Sequence, residues 1–437
     1  MNRIKTPINK LLHIQLLMYV MKWTVIAGIV GVLAGSASAF FLISLDWAAQ
    51  TRDTYEWFLF LLPIGGMVVS FLYWKYGLNS TKGNNLLIEQ AHGAKESIPF
   101  RMAPLVLFGT IVTHLFGGSA GREGTAVQMG GAFSELVGKL FKLDPLDRKI
   151  IIICGISSGF GSVFGTPLAG TVFGLEVLAL GLIRHEAIFP AFVAAFVGDF
   201  VTTAWGIHHH HYEIGSIPVL SLMLLIKILL AAILFGLTST LFSELTHLLK
   251  KQFSKWMPNP MIKSFVGGLM IIALVYIVES RKYLGLGIPL IDDAFEGKVS
   301  PLTFITKLIF TSLTLGSGYQ GGEVTPLFVI GSTLGSSLGE LLHVSIPFLA
   351  ALGFIGVFCG ATNTPIACFI MGIELFGSDA SLYLFLVCIV SYLFSGYTGI
   401  YTSQQIAVSK SKWVTITEND TLQSIKLKKK KYKKHED

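Results

Sequence analysis

The sequence predicts an all-α polytopic membrane protein made of two related halves of opposite topology, and three observations carry that expectation. The chain is apolar throughout, with 52% hydrophobic and 14% charged residues among 437, where a soluble domain carries about 25% charged residues. Its mean hydropathy is +0.65. Two stretches repeat each other in their rarest residues: Gly121-Arg122-Glu123-Gly124-Thr125 and Gly321-Gly322-Glu323-Val324-Thr325 both read G-x-E-x-T, and 323 minus 123 is 200. A second pair, Thr166-Pro167-Leu168-Ala169 with Gly174 and Glu176, and Thr364-Pro365-Ile366-Ala367 with Gly372 and Glu374, reads T-P-x-A-x4-G-x-E. A carboxylate inside a membrane costs several kcal/mol unless it is neutral, paired or hydrated, so its default reading is functional. Paired Gly-interrupted segments at matching positions of two halves point to a transport site at an inverted-repeat interface.

Taken in order, the elements follow from the lengths of the apolar runs. Runs at 24–48, 57–74, 218–242, 264–278 and 380–400 approach the roughly 20 residues needed to span a bilayer. Others, at 103–117, 150–164 and 347–361, are only about 15 residues long and flanked by glycine. Backbone that ends inside a membrane is tolerated where protein or a water-filled cavity satisfies it, so these read as re-entrant or half-spanning helices. The expected product is a compact block with many tilted and half-spanning helices.

Charge sits at the ends. Residues 426–437 hold seven lysines against Glu436 and Asp437, and the first 22 residues carry Arg3, Lys5, Lys10 and Lys22 with no acid. Cytoplasmic segments are enriched in Lys and Arg, so both termini are expected inside. The resulting organisation is a cytoplasmic segment at 1–19, a first repeat at 20–205, an external linker at 206–216, a second repeat at 217–410 and a short basic cytoplasmic tail at 411–437. The tail has the composition to bind anionic lipid headgroups, but reads first as a solvated, orientation-setting end. No cleavable signal is expected, because the first apolar run is long and lacks a small-residue cleavage pattern. His208 to His211 lie in the linker and read as a solvated connector rather than a metal site. Cys154, Cys359, Cys368 and Cys388 all sit in apolar runs, which suits buried thiols and argues against a disulfide or zinc framework. The expected partner is the lipid bilayer; no cofactor, metal or nucleic acid is indicated.

Glycine spacing supports close helix packing. Gly331-x3-Gly335-x3-Gly339, Gly31-x3-Gly35 and Gly161-x3-Gly165 place small residues along single helix faces, a pattern that lets backbones approach in lipid. Three other Gly-containing junctions (Lys82-Gly83-Asn84-Asn85, Gly117-Gly118-Ser119-Ala120-Gly121 and Gly318-Tyr319-Gln320-Gly321-Gly322) each precede an apolar helical stretch. A helix start carries unsatisfied N–H donors and a partial positive charge. Several such starts converging make an anion site that needs no fixed cation.

The run Gly121-Arg122-Glu123-Gly124, followed by Val127-Gln128-Met129-Gly130-Gly131, closely resembles the G-R-E-G-x-x-V-Q-x-G-G signature of the CLC chloride channel and transporter family. The resemblance extends over about 20–405 and includes Gly-Thr-Pro-Leu-Ala-Gly at 165–170. It implies the CLC-type fold of two inverted repeats and a homodimer with one anion pathway per subunit. It also implies a gating glutamate, here Glu123, whose carboxylate occupies an anion position until it is protonated. A carboxylate is itself an anion and competes for the same N–H groups, so proton uptake vacates the site and links the two movements. Gly124, Val324 and the start at Asn84 and Asn85 join the candidate anion-binding set; Gly121, Gly322 and Arg122 read as structural, with Arg122 satisfying backbone carbonyls.

Three departures from the chloride-type pattern point to one branch. Gly83-Asn84-Asn85-Leu86 stands where chloride-type members carry G-S-G-I-P, removing a serine hydroxyl. Gly322-Glu323-Val324-Thr325-Pro326 replaces G-x-F-x-P, and Val177 stands directly after Glu176 where chloride/proton exchangers carry a second acid. These features resemble the fluoride/proton antiporter branch, CLC-F. Fluoride is small and strongly hydrated, so its site must offer compact donors in place of water: amide hydrogens from Asn84, a hydroxyl from Thr325, and Glu323 as a donor when protonated. Tyr401 is the expected inner closure of the pathway, ahead of Tyr397. Fluoride and protons are thus the expected substrates, with chloride transport as the alternative. An enzyme reading rests on Gly155-Ile156-Ser157-Ser158-Gly159, a G-x-S-x-G match, but no histidine of the apolar block is placed as its base.

Overall fold

The computed structural model describes residues 8–94, 96–209, 212–412, 417 and 420–427, with the backbone alone at 8–11. The described chain is almost wholly helical: α1 (Ile8–Thr54), α2 (Leu62–Tyr76), α3 (Asn84–Ala91), α4 (Met102–Leu115), α5 (Glu123–Leu140), α6 (Pro145–Phe164), α7 (Pro167–Glu176), α8 (Ile188–Ala204), α9 (Leu222–Trp256), α10 (Pro260–Val278), α11 (Ile288–Phe295), α12 (Thr303–Gly316), α13 (Val324–Leu342), α14 (Ile346–Thr362), α15 (Pro365–Phe376) and α16 (Ser381–Phe394). Among the described residues, five helical stretches are long and apolar enough to cross a membrane: Leu12–Thr54, Glu56–Tyr76, His185–Ala204, Leu222–Trp256 and Pro260–Val278. Met102–Leu115, Thr303–Gly316, Ile346–Thr362, Pro365–Phe376 and Ser381–Phe394 are apolar but shorter.

One expected span fails. The run 380–400 does not form a long helix: α16 stops at Phe394, and Gly396 takes φ +59. At 1.5 Å per residue a 14-residue helix covers about 20 Å, short of the roughly 30 Å hydrocarbon core. The span the run lengths missed is His185–Ala204.

The small-residue stripes place backbones in contact. Gly331 and Gly335 of α13 lie against the carbonyls of Gly353 and Leu349 on α14, and Gly31 and Gly35 of α1 face Ala194 and Gly198 of α8. Gly165 does something else: it ends α6 in the left-handed region at φ +71, where a β-carbon is disfavoured. A stack of phenylalanines joins the two halves. Phe160 and Phe173 stack at 4.1 Å, Phe328 and Phe354 at 3.9 Å, and Phe160 meets Phe358 at 6.0 Å. All four cysteines are buried free thiols.

The T-P-x-A-x4-G-x-E segments hold their carboxylates at the ends of α7 and α15, not at broken helix starts, and each caps the other segment. Glu176 accepts from the N–H groups of Ile366 (3.2 Å) and Ala367 (2.8 Å). Glu374 accepts from those of Leu168 (2.9 Å) and Ala169 (2.8 Å). The costly acids are thus satisfied structurally, by the positive ends of two short helices. Removing either carboxylate, as Glu176→Ala or Glu374→Ala, is expected to cost about 2–4 kcal/mol by orphaning buried N–H donors. The check is the thermal unfolding midpoint of the purified protein in detergent; an unchanged midpoint in both variants would remove the capping role.

After α16 the chain does more than trail off. Gln405–Ile406 (β2) pairs in parallel with Ala179–Leu180 (β1). Residues 420–427 then return against it, with Ile406 N donating to the Asp420 carbonyl at 2.8 Å and Gln423 N to that of Thr402 at 3.1 Å. Most of the lysine-rich end expected to lie in the cytoplasm falls outside the described residues.

Candidate anion pathway

The two G-x-E-x-T segments meet. Gly121 and Gly322 exchange backbone hydrogen bonds of 2.6 and 2.8 Å, which sets the starts of α5 and α13 side by side. The approach depends on glycine: a β-carbon on Gly322 would lie 2.8 Å from Gly124 N, and one on Gly121 2.7 Å from Glu123 Oε2. The structural assignment of these two glycines thus has a steric basis. The start of α3 joins them, since a β-carbon on Gly124 would lie 3.1 Å from Asn84 Nδ2.

Glu123 is 1% exposed and bridges the two helix starts. Its Oε2 accepts from Thr325 N at 3.0 Å and from Arg122 N at 3.2 Å. Its Oε1 accepts from the Thr325 hydroxyl. The carboxylate therefore sits on three donors of the kind that a small anion needs, two backbone and one hydroxyl. Two carboxylate positions of the repeat have parted company: Glu123 faces Thr325, whereas Glu323 lines a separate cavity on the other side.

That cavity, about 360 Å³, collects most of the remaining candidates: Asn84, Asn85, Glu323 and Tyr401 all line it. The Oδ1 of Asn84 is buried with no hydrogen-bond partner, so the amide is unsatisfied as it stands. Asn85 is partly committed elsewhere, its Oδ1 accepting from Ser403 N at 2.9 Å. Tyr401, 5% exposed, packs edge-on against Phe173 at 6.4 Å. Tyr397 lies off this route and hydrogen-bonds Ser409. Val324 is buried at the start of α13.

Residues the sequence reading passed over also line this cavity: Gln128, Gln320, Lys250 and Lys263. Gln128 was legible, since it belongs to the same V-Q-x-G-G run as the candidates before it. The two lysines carried no local signal and arrive from α9 and α10 through packing.

A second, smaller cavity of about 40 Å³ is lined by Arg122, Thr325, His209 and Tyr212 among aromatic and aliphatic side chains. Arg122 does not play the expected role. Its side chain makes no hydrogen bond to a carbonyl among the described residues, and its buried Nε has no hydrogen-bond partner and faces Glu123 Oε1 at 4.0 Å as an ion pair. The histidine run departs from expectation as well. His209 packs its ring beside Gly165, while His208 is exposed and His210 and His211 lie outside the described residues. Ser157 is buried and donates to the Thr171 carbonyl at 3.3 Å. Valine at 177 is buried directly after the capping Glu176.

The family profile described as voltage gated chloride channel matches residues 65–396. A protein of Pseudomonas syringae pv. tomato (strain ATCC BAA-871 / DC3000) described as a chloride/fluoride channel protein is 48% identical over 404 residues, covering 91% of this chain and 89% of its own. The H(+)/Cl(-) exchange transporter ClcA of Vibrio parahaemolyticus is 26% identical over 410 residues, with 84% of each chain covered. Among solved structures, a CLC-type fluoride/proton antiporter superposes with a TM-score of 0.86 at 34% identity, covering 89% of this chain and 98% of that one. A slow cyanobacterial Cl−/H+ antiporter reaches 0.75 at 21% identity, over 85% and 94%, a likeness of fold. With the profile covering three quarters of the chain and a close relative along nearly its full length, the chain belongs to the voltage gated chloride channel family.

Proposed function

We propose that this chain is a proton-coupled fluoride exporter, a fluoride/proton antiporter in which Glu123 is both gate and proton carrier. The observation that carries it is the Glu123 carboxylate lying on the Thr325 hydroxyl and the N–H groups of Thr325 and Arg122. A proton on that carboxylate weakens its hold on these donors and frees them for an anion. An anion in their place favours a neutral, displaced Glu123. The compact donors suit fluoride, whose strong hydration must be replaced group for group, and the 48% and 34% identities to proteins named for fluoride support the choice.

Asn84, Thr325, the Gly124 and Val324 backbone, and Glu323 in its protonated form line the remainder of the anion route, with Tyr401 closing it toward the cytoplasm. Asn85 serves chiefly to hold the loop after Tyr401, given its bond to Ser403. The protein works as a homodimer in a lipid bilayer with one pathway per subunit. The repeats are 20–205 and 217–410; both termini are cytoplasmic and the 206–216 linker is external. Fluoride enters cells as neutral HF and is trapped inside as the anion, so exchanging external protons for internal fluoride protects the cell.

The test is an anion panel on purified protein in liposomes, with fluoride and chloride gradients and a pH readout. Fluoride moving far faster than chloride, with protons counter-transported, is the expected result; equal rates for the two anions would favour the chloride alternative. Topology has its own check. The four native cysteines are buried, so a cysteine placed at the exposed His208 should react with an impermeant thiol reagent from outside the cell. Reaction only from the cytoplasmic face would reverse the assigned orientation.

A further inference from the structure

The long helix α9 carries exposed leucines in one line. Leu230, Leu234, Leu237 and Leu241 are all exposed, and their spacing of four, three and four residues stacks them on a single helix face. The line continues through Glu244, Leu248 and Lys251, so it turns from apolar to charged at Glu244. Exposed Lys255 and Trp256 then close the helix. Leucine giving way to lysine and tryptophan along a spanning helix marks the level where hydrocarbon meets headgroups.

At that level the segment returning after β2, residues 420–427, leaves a cleft of about 470 Å³ beside α9. His247, Leu248 and Lys251 line it from the helix, and Lys426 and Leu427 from the returning segment. Lys426 reaches across to Glu244 at 2.6 Å, while Lys251 is exposed and enters no ion pair among the described residues. Two cations thus face one acid, with exposed Leu248 and Leu427 lining the same cleft. Spare positive charge above an apolar stripe fits one class of ligand, an anionic phospholipid with its phosphate on the lysines and an acyl chain along the leucines.

The cleft backs onto the turn that carries Tyr401. Gly399 and Thr402 line the cleft, whereas Ile400 and Tyr401 line the 360 Å³ cavity. His247 Nε2 donates to the Gly399 carbonyl at 2.9 Å, and Gln423 N of the returning segment donates to that of Thr402 at 3.1 Å. α9 and the returning segment therefore hold the turn on both sides of Tyr401. We propose that this cleft binds one anionic phospholipid of the cytoplasmic leaflet, whose phosphate bridges Lys251 and Lys426 and so clamps α9 to the returning segment behind Tyr401. The choice of leaflet and the closing role of Tyr401 rest on the transport reading above.

Lipid retention tests the site without any transport. Full-length protein in detergent is titrated with phosphatidylglycerol or phosphatidylcholine, and bound lipid is read by native mass spectrometry. A lysine at an anionic lipid surface contributes about fivefold in affinity, so the wild type should prefer phosphatidylglycerol and Lys251→Gln should bind it about fivefold more weakly. Lys251→Arg should restore it, and changing Lys428, Lys429, Lys430 and Lys431 together to Gln should leave the preference in place. A preference lost in that tail variant and kept in Lys251→Gln would move it to the basic end. Equal retention of both lipids would make the cleft unselective, and glycerol phosphate competing as well as the lipid would make it a site for soluble phosphate; each of these results overturns the proposal. The clamp is read in liposomes, where fluoride-driven proton movement should be several-fold faster with phosphatidylglycerol than with phosphatidylcholine for the wild type, and equal for Lys251→Gln. Equal wild-type rates in the two lipids would overturn the clamp. A wild type that moves no fluoride in either lipid fails the transport reading instead, and the retention result still decides the site.

Discussion

In liposomes carrying Glu123→Gln, a fluoride gradient should drive no proton movement above that of protein-free liposomes, while fluoride itself continues to pass. The amide is nearly isosteric and keeps an oxygen to accept from Thr325 N and Arg122 N, so the bridged helix starts stay in place. What it loses is the proton. With no titrating group on the three donors, anion occupancy no longer depends on protonation and the two fluxes separate. The measurement is proton flux by a pH dye against fluoride release by electrode in the same preparation. Wild-type proton yield in the mutant would strip Glu123 of the coupling role. Loss of both fluxes with a normal gel-filtration profile would make it a structural bridge between α5 and α13 only.

Replacing Thr325 by Val should be nearly as damaging, and through a different property. The substitution keeps shape and removes the hydroxyl that serves Glu123 Oε1. A hydrogen bond to a charged group contributes on the order of 1.5–3 kcal/mol, so fluoride turnover at subsaturating concentration should fall about tenfold or more, and discrimination against chloride should weaken. Asn84→Ser restores the side chain of chloride-type relatives and should shift preference in the same direction, since Asn84 lies at the meeting of α3 with Gly124. Fluoride-to-chloride rate ratios across the variants decide it. A ratio unmoved by both substitutions would place selectivity elsewhere in the pathway, with Gln128 and Glu323 as the next residues lining the cavity that Asn84 lines.

Much of this was legible because the signals were local. Glu123 stood out as a functional candidate from its neighbours: a carboxylate among glycines at a helix start, in an apolar chain, repeated 200 residues on; the gating role was what the family resemblance implied. Asn84, Glu323 and Tyr401 were likewise found through short motifs, and they line one cavity. The pattern overreached where a carboxylate in an apolar run was read as functional by default. Glu176 and Glu374 share the glycine and the acid of the repeat, yet they cap helices. Motif symmetry records common ancestry of local structure; whether a carboxylate meets a cavity or a neighbour's N–H groups depends on what packs against it. The 380–400 run misled for a related reason, as hydropathy counts residues and a helix end is decided by backbone conformation at Ser395 and Gly396.

The sequence by itself determined the membrane class, the two related halves, the Gly-flanked helix starts proposed to hold an anion and the glutamate beside them, because composition, run length and glycine spacing act within a few residues. Only the tertiary structure decided that Thr325 rather than Glu323 holds Glu123, that Glu176 and Glu374 are reciprocal caps, and that Arg122, His209 and Tyr212 line one small cavity. The contacts that settle these points join residues about 200 positions apart, such as Glu123 with Thr325 and Glu374 with Leu168. No local propensity encodes a hydrogen bond of that range; it forms only when close packing of whole helices brings its donor and acceptor within about 3 Å.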